Sequence, residues 1–100
     1  MADKIKVEIE EDLRELIPTY LKNMRNHIDF FRGALESENY EGVRERGHNI
    51  NGSGGGYGFD RITELGREIE EAAKSKDRSS AARAVDELAD YVERVEVTYV

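Results

Sequence analysis

The sequence predicts an all-α fold, an antiparallel four-helix bundle, in a single domain that covers residues 1–100. Apolar residues recur at steps of three and four in four successive segments, which is the period of an amphipathic helix. Short connections join the segments, and no stretch has a convincing strand pattern. Four amphipathic helices bury their apolar faces most economically against one another, which favours a bundle.

The first helix is expected between Glu8 and Gly33. Pro18 lies inside this segment and lacks a backbone donor, so it predicts either a kink or the start of the regular helix. Gly33 is expected to end the helix, and Ser37 or Asn39 is a candidate N-cap of the next one. The residues expected to face the core are Leu13, Leu16, Ile17, Tyr20, Met24, Ile28 and Phe31.

The second helix is expected from about Glu38 into a glycine-rich stretch. Glycine is costly inside a helix and has no side chain, so two glycines on the inward face predict a close approach of a neighbouring helix. The inward residues are Tyr40, Val43, Gly47, Ile50 and Gly54.

The third helix is expected to begin at Asp60, a candidate N-cap, and to end near residues 74–77. The fourth is expected to begin near Ser79 or Ser80. Residues 97–100 alternate between apolar and polar instead of following the helical period, so the tail is expected to fray. The inward residues of the two helices are Ile62, Leu65, Ile69, Ala72 and Ala73, then Ala82, Val85, Leu88, Ala89, Val92 and Val95.

Charge and composition exclude several classes of function. The chain has 22 acidic and 15 basic residues, a net charge of −7, and no cysteine. Nucleic acid is not an expected partner, because binding its phosphates requires clustered cations. No apolar stretch is long enough to span a bilayer, and no signal segment is evident, so we expect a cytoplasmic protein without membrane association. The start at Met1 favours a free-standing protein, and four apolar faces used by one core favour a monomer.

His48 stands out because five glycines follow it between positions 52 and 58. Helical spacing places Arg44, Asn51, Gly52 and Gly55 along the same stripe of the second helix. An exposed imidazole is a good nucleophile near neutral pH and can accept a phosphoryl group. Arg44 could then bind the phosphoryl oxygens. Gly52 and Gly55 present no bulk and would admit a docking partner.

Simpler interpretations exist for the same residues. A lone histidine on a helix is more often an ordinary surface or packing residue, and residues 54–58 could form a flexible loop. No metal site is expected, since His27 and His48 lie on different helices without a third ligand, and His27 is expected at the surface. The glycine run lacks the register of a nucleotide-binding loop. The acidic stretches 8–12 and 68–71 are expected to be solvated, and Tyr57 and Phe59 to pack helix three against helix two.

The sequence His48-Asn49-Ile50-Asn51-Gly52-Ser53 resembles the pattern of the histidine-containing phosphotransfer (HPt) domain family. That pattern is a histidine, two residues, usually a lysine, then a glycine and a small residue. The resemblance continues through Gly58-Phe59 and the apolar run of the third helix to Glu70-Glu71-Ala72-Ala73, and upstream it includes Leu16-Ile17-Pro18. It therefore covers nearly the whole chain.

The resemblance implies that His48 takes a phosphoryl group from the aspartate of a response-regulator receiver domain and passes it to another receiver. A hybrid histidine kinase is a further candidate partner. The resemblance implies no ATP site and no cofactor in this chain, because magnesium and most of the catalytic groups belong to the receiver. The protein would then be a phosphocarrier of two-component signalling and not an enzyme.

Asn51 departs from this pattern, since the family usually has lysine three residues after the histidine. An amide can donate a hydrogen bond to phosphate but brings no positive charge. Arg44 is a candidate to compensate. The departure also keeps an alternative open, in which the bundle docks and sequesters a receiver or kinase without carrying phosphate.

Overall fold

A computed structural model describes residues 3–100 of the chain. Four α-helices follow one another, and a short β-strand lies at each end of the series. The elements are β1 (Ile5–Ile9), α1 (Ile17–Glu36), α2 (Tyr40–Ser53), α3 (Asp60–Lys74), α4 (Arg78–Arg94) and β2 (Val95–Tyr99), with 3-10 turns at Glu11–Leu13 and Gly55–Tyr57. The predicted bundle of four helices is confirmed.

Helix α1 begins one residue before Pro18, so Pro18 lies in the first turn of the helix. The backbone N–H groups of the first turn have no partner within the helix, so the N–H that proline lacks costs no helical hydrogen bond. Of the two alternatives for Pro18, the start of the regular helix is therefore correct. The predicted residues 8–16 lie outside the helix, and Leu16 is 50% exposed instead of facing the core. Gly33 does not end the helix, which continues for one more turn. Ser37 is its C-cap and not the N-cap of α2.

Side-chain caps fix the starts of two helices. The Asn39 side chain accepts a hydrogen bond from the first turn of α2 at 3.1 Å, as predicted. Asp77 caps α4 by accepting from the Ser80 N–H at 3.1 Å, so α4 begins one or two residues earlier than predicted. The prediction for Asp60 was wrong by one position, because Phe59 is the N-cap of α3 and contributes no side-chain bond.

The two strands correct the expectation of a chain without strands and with a frayed tail. β1 and β2 pair in parallel, with Ile5 opposite Val95 and Ile9 opposite Tyr99. The alternation noticed in the tail is the period of a strand, and it places the apolar side chains of β2 against the bundle. The partner strand lies at the other end of the sequence, so local pattern alone could not reveal the pairing.

The core is formed by the inward faces of the helices together with Ile9 and Phe59. Its largest fully buried side chains are Phe31, Phe59, Ile9, Ile17, Ile50, Ile62, Leu65, Ile69, Leu88, Val43 and Val85. Ala81 and Ala84 were not predicted to face the core and are buried in it. Within residues 3–100, no helix combines the length and the apolar character needed to cross a membrane.

Helices α2 and α3 run antiparallel and touch backbone to backbone. A Cβ atom added to Gly47 would lie 2.9 Å from the Glu70 backbone nitrogen, and one added to Gly54 would lie 2.6 Å from that of Thr63. Gly66 on α3 is equally close to α2, at 2.6 Å from the Asn51 nitrogen. The close approach predicted from the inward glycines is confirmed.

Candidate functional site

His48 lies in the middle of α2 with 67% of its side chain exposed. Its neighbour Gly47 is buried in the contact with α3. Because consecutive residues are about 100° apart on a helix, His48 lies on the flank of that contact, beside α3 and open to solvent. The imidazole is therefore accessible to another protein.

Glu70 of α3 is the partner of this imidazole. Its Oε2 atom lies 3.2 Å from His48 Nδ1, and its side chain is only 9% exposed. The expectation that residues 68–71 form a solvated acidic face is wrong for Glu70, although Glu68 and Glu71 are exposed. A carboxylate in a bundle interface costs free energy unless it has polar partners, and the imidazole is one of them.

The backbone contact between α2 and α3 brings these two side chains together. Gly47 packs against the backbone of Gly66 and Glu70, so the residue after Gly47 and the Glu70 side chain meet on the same flank. A side chain at either glycine would push the helices apart. The sequence signal for this contact is Gly66 in the middle of α3. Glycine destabilises a helix interior, so its presence there indicates close packing against a neighbouring element.

The hydrogen bond to Glu70 fixes which ring nitrogen carries the proton of the neutral imidazole. An ionised carboxylate accepts hydrogen bonds and donates none, so a bond to His48 Nδ1 requires the ring proton at Nδ1. The lone pair of the neutral imidazole is then on Nε2. Within residues 3–100 the only hydrogen bond of the ring is the one at Nδ1, so Nε2 is the nitrogen left for a partner.

Two cationic side chains near the imidazole, Arg44 and Lys74, have different partners. Arg44 donates from Nε and Nη2 to the two carboxylate oxygens of Glu41, one turn earlier on α2. This hydrogen bond raises the pKa of Arg44 and lowers the pKa of Glu41. Lys74, which sequence reasoning did not single out, lies with Nζ 3.7 Å from Glu70 Oε2. Lys74 thus pairs directly with the carboxylate that holds His48, whereas Arg44 pairs with Glu41 and is affected by the Glu70 charge only more weakly.

Asn51 follows His48 by one helical turn, and its side chain is half-buried. Within residues 3–100 its amide makes no side-chain hydrogen bond, which leaves the amide N–H groups available to a ligand. An amide in this position can donate a hydrogen bond to an anion but cannot balance its charge.

The glycines after His48 fall into two kinds. Gly54 needs to lack a side chain, because an added Cβ would clash with the α3 backbone. An added Cβ at Gly52 would meet no atom within 4 Å, and one at Gly55 would meet only ordinary contacts, the nearest at 3.7 Å. The internal packing therefore gives no reason for glycine at these two exposed positions. They leave an open surface next to His48.

The glycine-rich segment at the end of this open surface has regular secondary structure. α2 extends to Ser53, and a 3-10 turn over Gly55–Tyr57 follows it, so the loop interpretation holds only for the short turn before α3. Gly58 has φ 90°, a left-handed conformation that favours glycine. Tyr57 stacks on Tyr20 of α1 at 4.2 Å between ring centroids. Tyr57 and Phe59 are packing residues as predicted, but both stack on α1.

His27 lies at a half-buried position and not at the open surface, which corrects the prediction. Its side chain is half-buried, and Nδ1 lies 3.5 Å from Nη1 of Arg46. Burial lowers the pKa of His27, and the nearby Arg46 charge lowers it further. Within residues 3–100, no three histidine, aspartate or glutamate side chains are grouped so as to hold a metal ion.

A family model described as the Hpt domain matches residues 9–98, which is nearly the whole chain and includes His48, Glu70 and the complete set of helices. No match was found among curated proteins or among solved structures.

Proposed function

The chain belongs to the Hpt domain family, whose members act in phosphotransfer in two-component signalling, and on this premise we propose that it is a phosphorelay intermediate. His48 accepts a phosphoryl group from the aspartate of a response-regulator receiver and passes it to another receiver. Hpt domains are phosphocarrier modules without an ATP site of their own. A hybrid histidine kinase is a candidate upstream partner.

The observation that carries this proposal is the hydrogen bond between His48 Nδ1 and the nearly buried Glu70 carboxylate. An ordinary surface histidine has no reason to be held by a carboxylate inside a helix contact. The bond keeps the proton on Nδ1 and presents the Nε2 lone pair to solvent, which is the arrangement that an acceptor of a phosphoryl group needs.

The transfer step balances without a further reactant. Nε2 of the neutral imidazole forms a bond to phosphorus as the bond from phosphorus to the aspartate oxygen breaks, and the aspartate leaves as a carboxylate. The ring keeps its Nδ1 proton and gains one positive charge, which the ionised Glu70 stabilises. Transfer to the next receiver is the reverse of this step. Magnesium, held by the receiver, would neutralise charge on the phosphoryl oxygens.

Receiver docking must bring the two reacting atoms within about 3–3.5 Å of each other. The open surface at Gly52 and Gly55 supports such an approach, because side chains there would stand between His48 and the partner. Asn51 is positioned to donate a hydrogen bond to the phosphoryl group. Arg44 can reach that group only by leaving Glu41.

The proposal is tested by incubating the protein with phosphorylated receiver domains from the same organism. We expect an acid-labile, alkali-stable phosphate, assigned to His48 by mass spectrometry. The His48→Gln variant should lose the label and keep its helicity, because an exposed side chain contributes little to stability. His27→Gln is the matched control, since it removes the other histidine and should still be labelled.

A second function follows from Asn51, which lacks the charge of the usual lysine. In this alternative the bundle binds a receiver or kinase and sequesters it without carrying phosphate. Binding that survives His48→Gln would not separate the two functions. If receivers bind and none transfers phosphate to the wild-type protein, the phosphocarrier proposal is wrong and the sequestering function is favoured.

A further inference from the structure

Lys74 shares one carboxylate oxygen with His48. Its Nζ atom is 3.7 Å from Oε2 of Glu70, and the same oxygen is 3.2 Å from His48 Nδ1. Because both distances end on one atom, the ammonium group is at most about 7 Å from the imidazole. Lys74 is also paired with Glu71, at 3.5 Å.

The position of Lys74 follows from the helix. Residues 70 and 74 are one turn apart on α3 and lie on the same face, next to the flank of α2 that carries His48. The Lys74 side chain is 50% exposed and ends a flexible four-carbon stem. Ion pairs with this exposure are weak, so the ammonium group can leave its carboxylate partners at little cost.

The charge balance of the site changes when His48 is phosphorylated. The phosphoryl group brings two negative charges close to the Glu70 carboxylate, and Asn51 supplies no cation to offset them. Arg44 donates two hydrogen bonds to the carboxylate of Glu41, and a two-point bond of this kind holds a side chain more firmly than the longer contacts of Lys74 do. The ammonium group of Lys74 is 3.7 Å from Glu70 Oε2, and a small movement of its stem changes which anion it contacts.

We propose that Lys74 supplies the positive charge missing at Asn51. In the unphosphorylated protein it holds Glu70 together with His48. After transfer it turns toward the phosphoryl group on Nε2 and stabilises the phosphorylated state. This inference rests on the proposed function and identifies what sets the balance of phosphate between His48 and the receiver.

The test measures the equilibrium constant for phosphoryl exchange between a receiver and His48, at low and at moderate salt. We expect Lys74→Met to shift the equilibrium about three- to tenfold toward the receiver, because one attractive charge is lost near the phosphoryl group. Lys74→Glu should shift it further, and Lys74→Arg should restore most of the wild-type value. The shift should shrink as salt is added.

Lys6→Met is the matched control, because it removes the same charge from an exposed position on β1. It should leave the equilibrium constant unchanged. If the wild type is phosphorylated and the Met and Glu variants at position 74 share its equilibrium constant, the inference about Lys74 is overturned while the proposed function stands. Absence of any label on the wild-type His48 overturns both.

Discussion

At the scale of single residues, the position of one proton decides the chemistry of the site. Glu70 accepts a hydrogen bond from Nδ1 of His48, and this leaves Nε2 unprotonated on a side chain that is 67% exposed. Without the carboxylate, the two tautomers of an exposed imidazole would both be populated, and only one of them has its lone pair on the outward nitrogen. Because the Glu70 side chain is only 9% exposed, few water molecules compete with the imidazole N–H for its carboxylate.

Asn51→Lys should raise the rate or the extent of His48 phosphorylation. The substitution adds a cation one helical turn after the acceptor, on the side where the phosphoryl group is expected, and a charge near that group stabilises it. We expect a gain of about three- to tenfold in the phosphorylated fraction, measured with a phosphorylated receiver. An unchanged fraction would show that position 51 is outside the phosphate shell.

His27 should make the folded protein less stable as the pH falls below about 6.5. Burial lowers the pKa of His27 in the folded state, with a smaller contribution from Arg46, so the unfolded chain binds the proton more readily. The stability that depends on neutral His27 is therefore present above the unfolded pKa and decreases as the pH falls toward the folded pKa.

The measurement is the urea unfolding midpoint at pH 7.5 and at pH 5.5, for the wild type and for His27→Gln. The variant should show a smaller decrease between the two pH values. The carboxyl groups whose pKa values are lowered, such as Glu41 and Asp77, titrate at lower pH and affect both proteins alike. Equal decreases in the two proteins would contradict the assignment to His27.

At the scale of elements, the contact between α2 and α3 positions the site. Glycine on each helix permits the backbones to touch, and the antiparallel order of the helices places His48 beside Glu70. The glycines of α2 therefore have different roles on different sides of the helix. Gly47 faces α3 and serves packing, whereas Gly52 faces open space next to the imidazole.

This division predicts opposite effects of the same substitution. Gly47→Ala should lower the free energy of unfolding by about 1–3 kcal/mol, because its Cβ must displace the α3 backbone. Gly52→Ala should raise it by about 0.5–1 kcal/mol, since alanine favours helix and nothing opposes its Cβ. Urea unfolding of the two variants measures both values, and a destabilised Gly52→Ala would contradict the assignment of that glycine to an open surface.

A partner-docking role for Gly52 makes a separate prediction. Gly52→Phe should leave the bundle folded, because the position is exposed, and should reduce phosphoryl transfer from a receiver at least tenfold by blocking its approach. The measurement compares initial labelling rates, with Gly52→Ala as the control for loss of glycine. Transfer at the wild-type rate in the Phe variant would show that the receiver docks elsewhere.

At the scale of the whole molecule, the parallel strands join the two ends of the chain to the bundle. Ile9 is 1% exposed, and its Cδ1 atom lies where a side chain at Gly58 would have to be. The backbone N–H of Glu11 donates to the Val100 carbonyl, and that of Val100 to the Ile9 carbonyl, which extends the pairing beyond the strands. The sheet thus closes over the end of the bundle that carries the turn before α3.

Ile9→Ala should lower the free energy of unfolding by about 2–4 kcal/mol, as expected for a buried isoleucine whose removal leaves a cavity. Val7→Ala in the same strand is the control, and its half-buried side chain should give a smaller loss. Urea unfolding followed by far-UV circular dichroism measures both. Equal, negligible losses would mean that the sheet is not part of the cooperative unit.

The sequence by itself determined the four helices, most of their core residues and the exposed imidazole, because these follow from a local period. Residues such as Leu65, Ile69 and Leu88 are buried as their spacing predicts. Helix ends were less well predicted where competing signals lay close together, as at Gly33, whose cost was outweighed by packing of the turn that follows it.

Only the tertiary structure decided which residues complete the site. Glu70 belongs to an acidic stretch whose local pattern suits a solvated face, and it becomes the partner of His48 because Gly47 and Gly66 let two helices touch. Lys74 pairs with Glu70 within α3, at the spacing of one helical turn, so the contact between the helices brings Lys74 to His48 together with that carboxylate. The strand pairing of Ile9 with Tyr99 could not be predicted either, because a contact between residues distant in sequence does not change the local spacing of apolar residues.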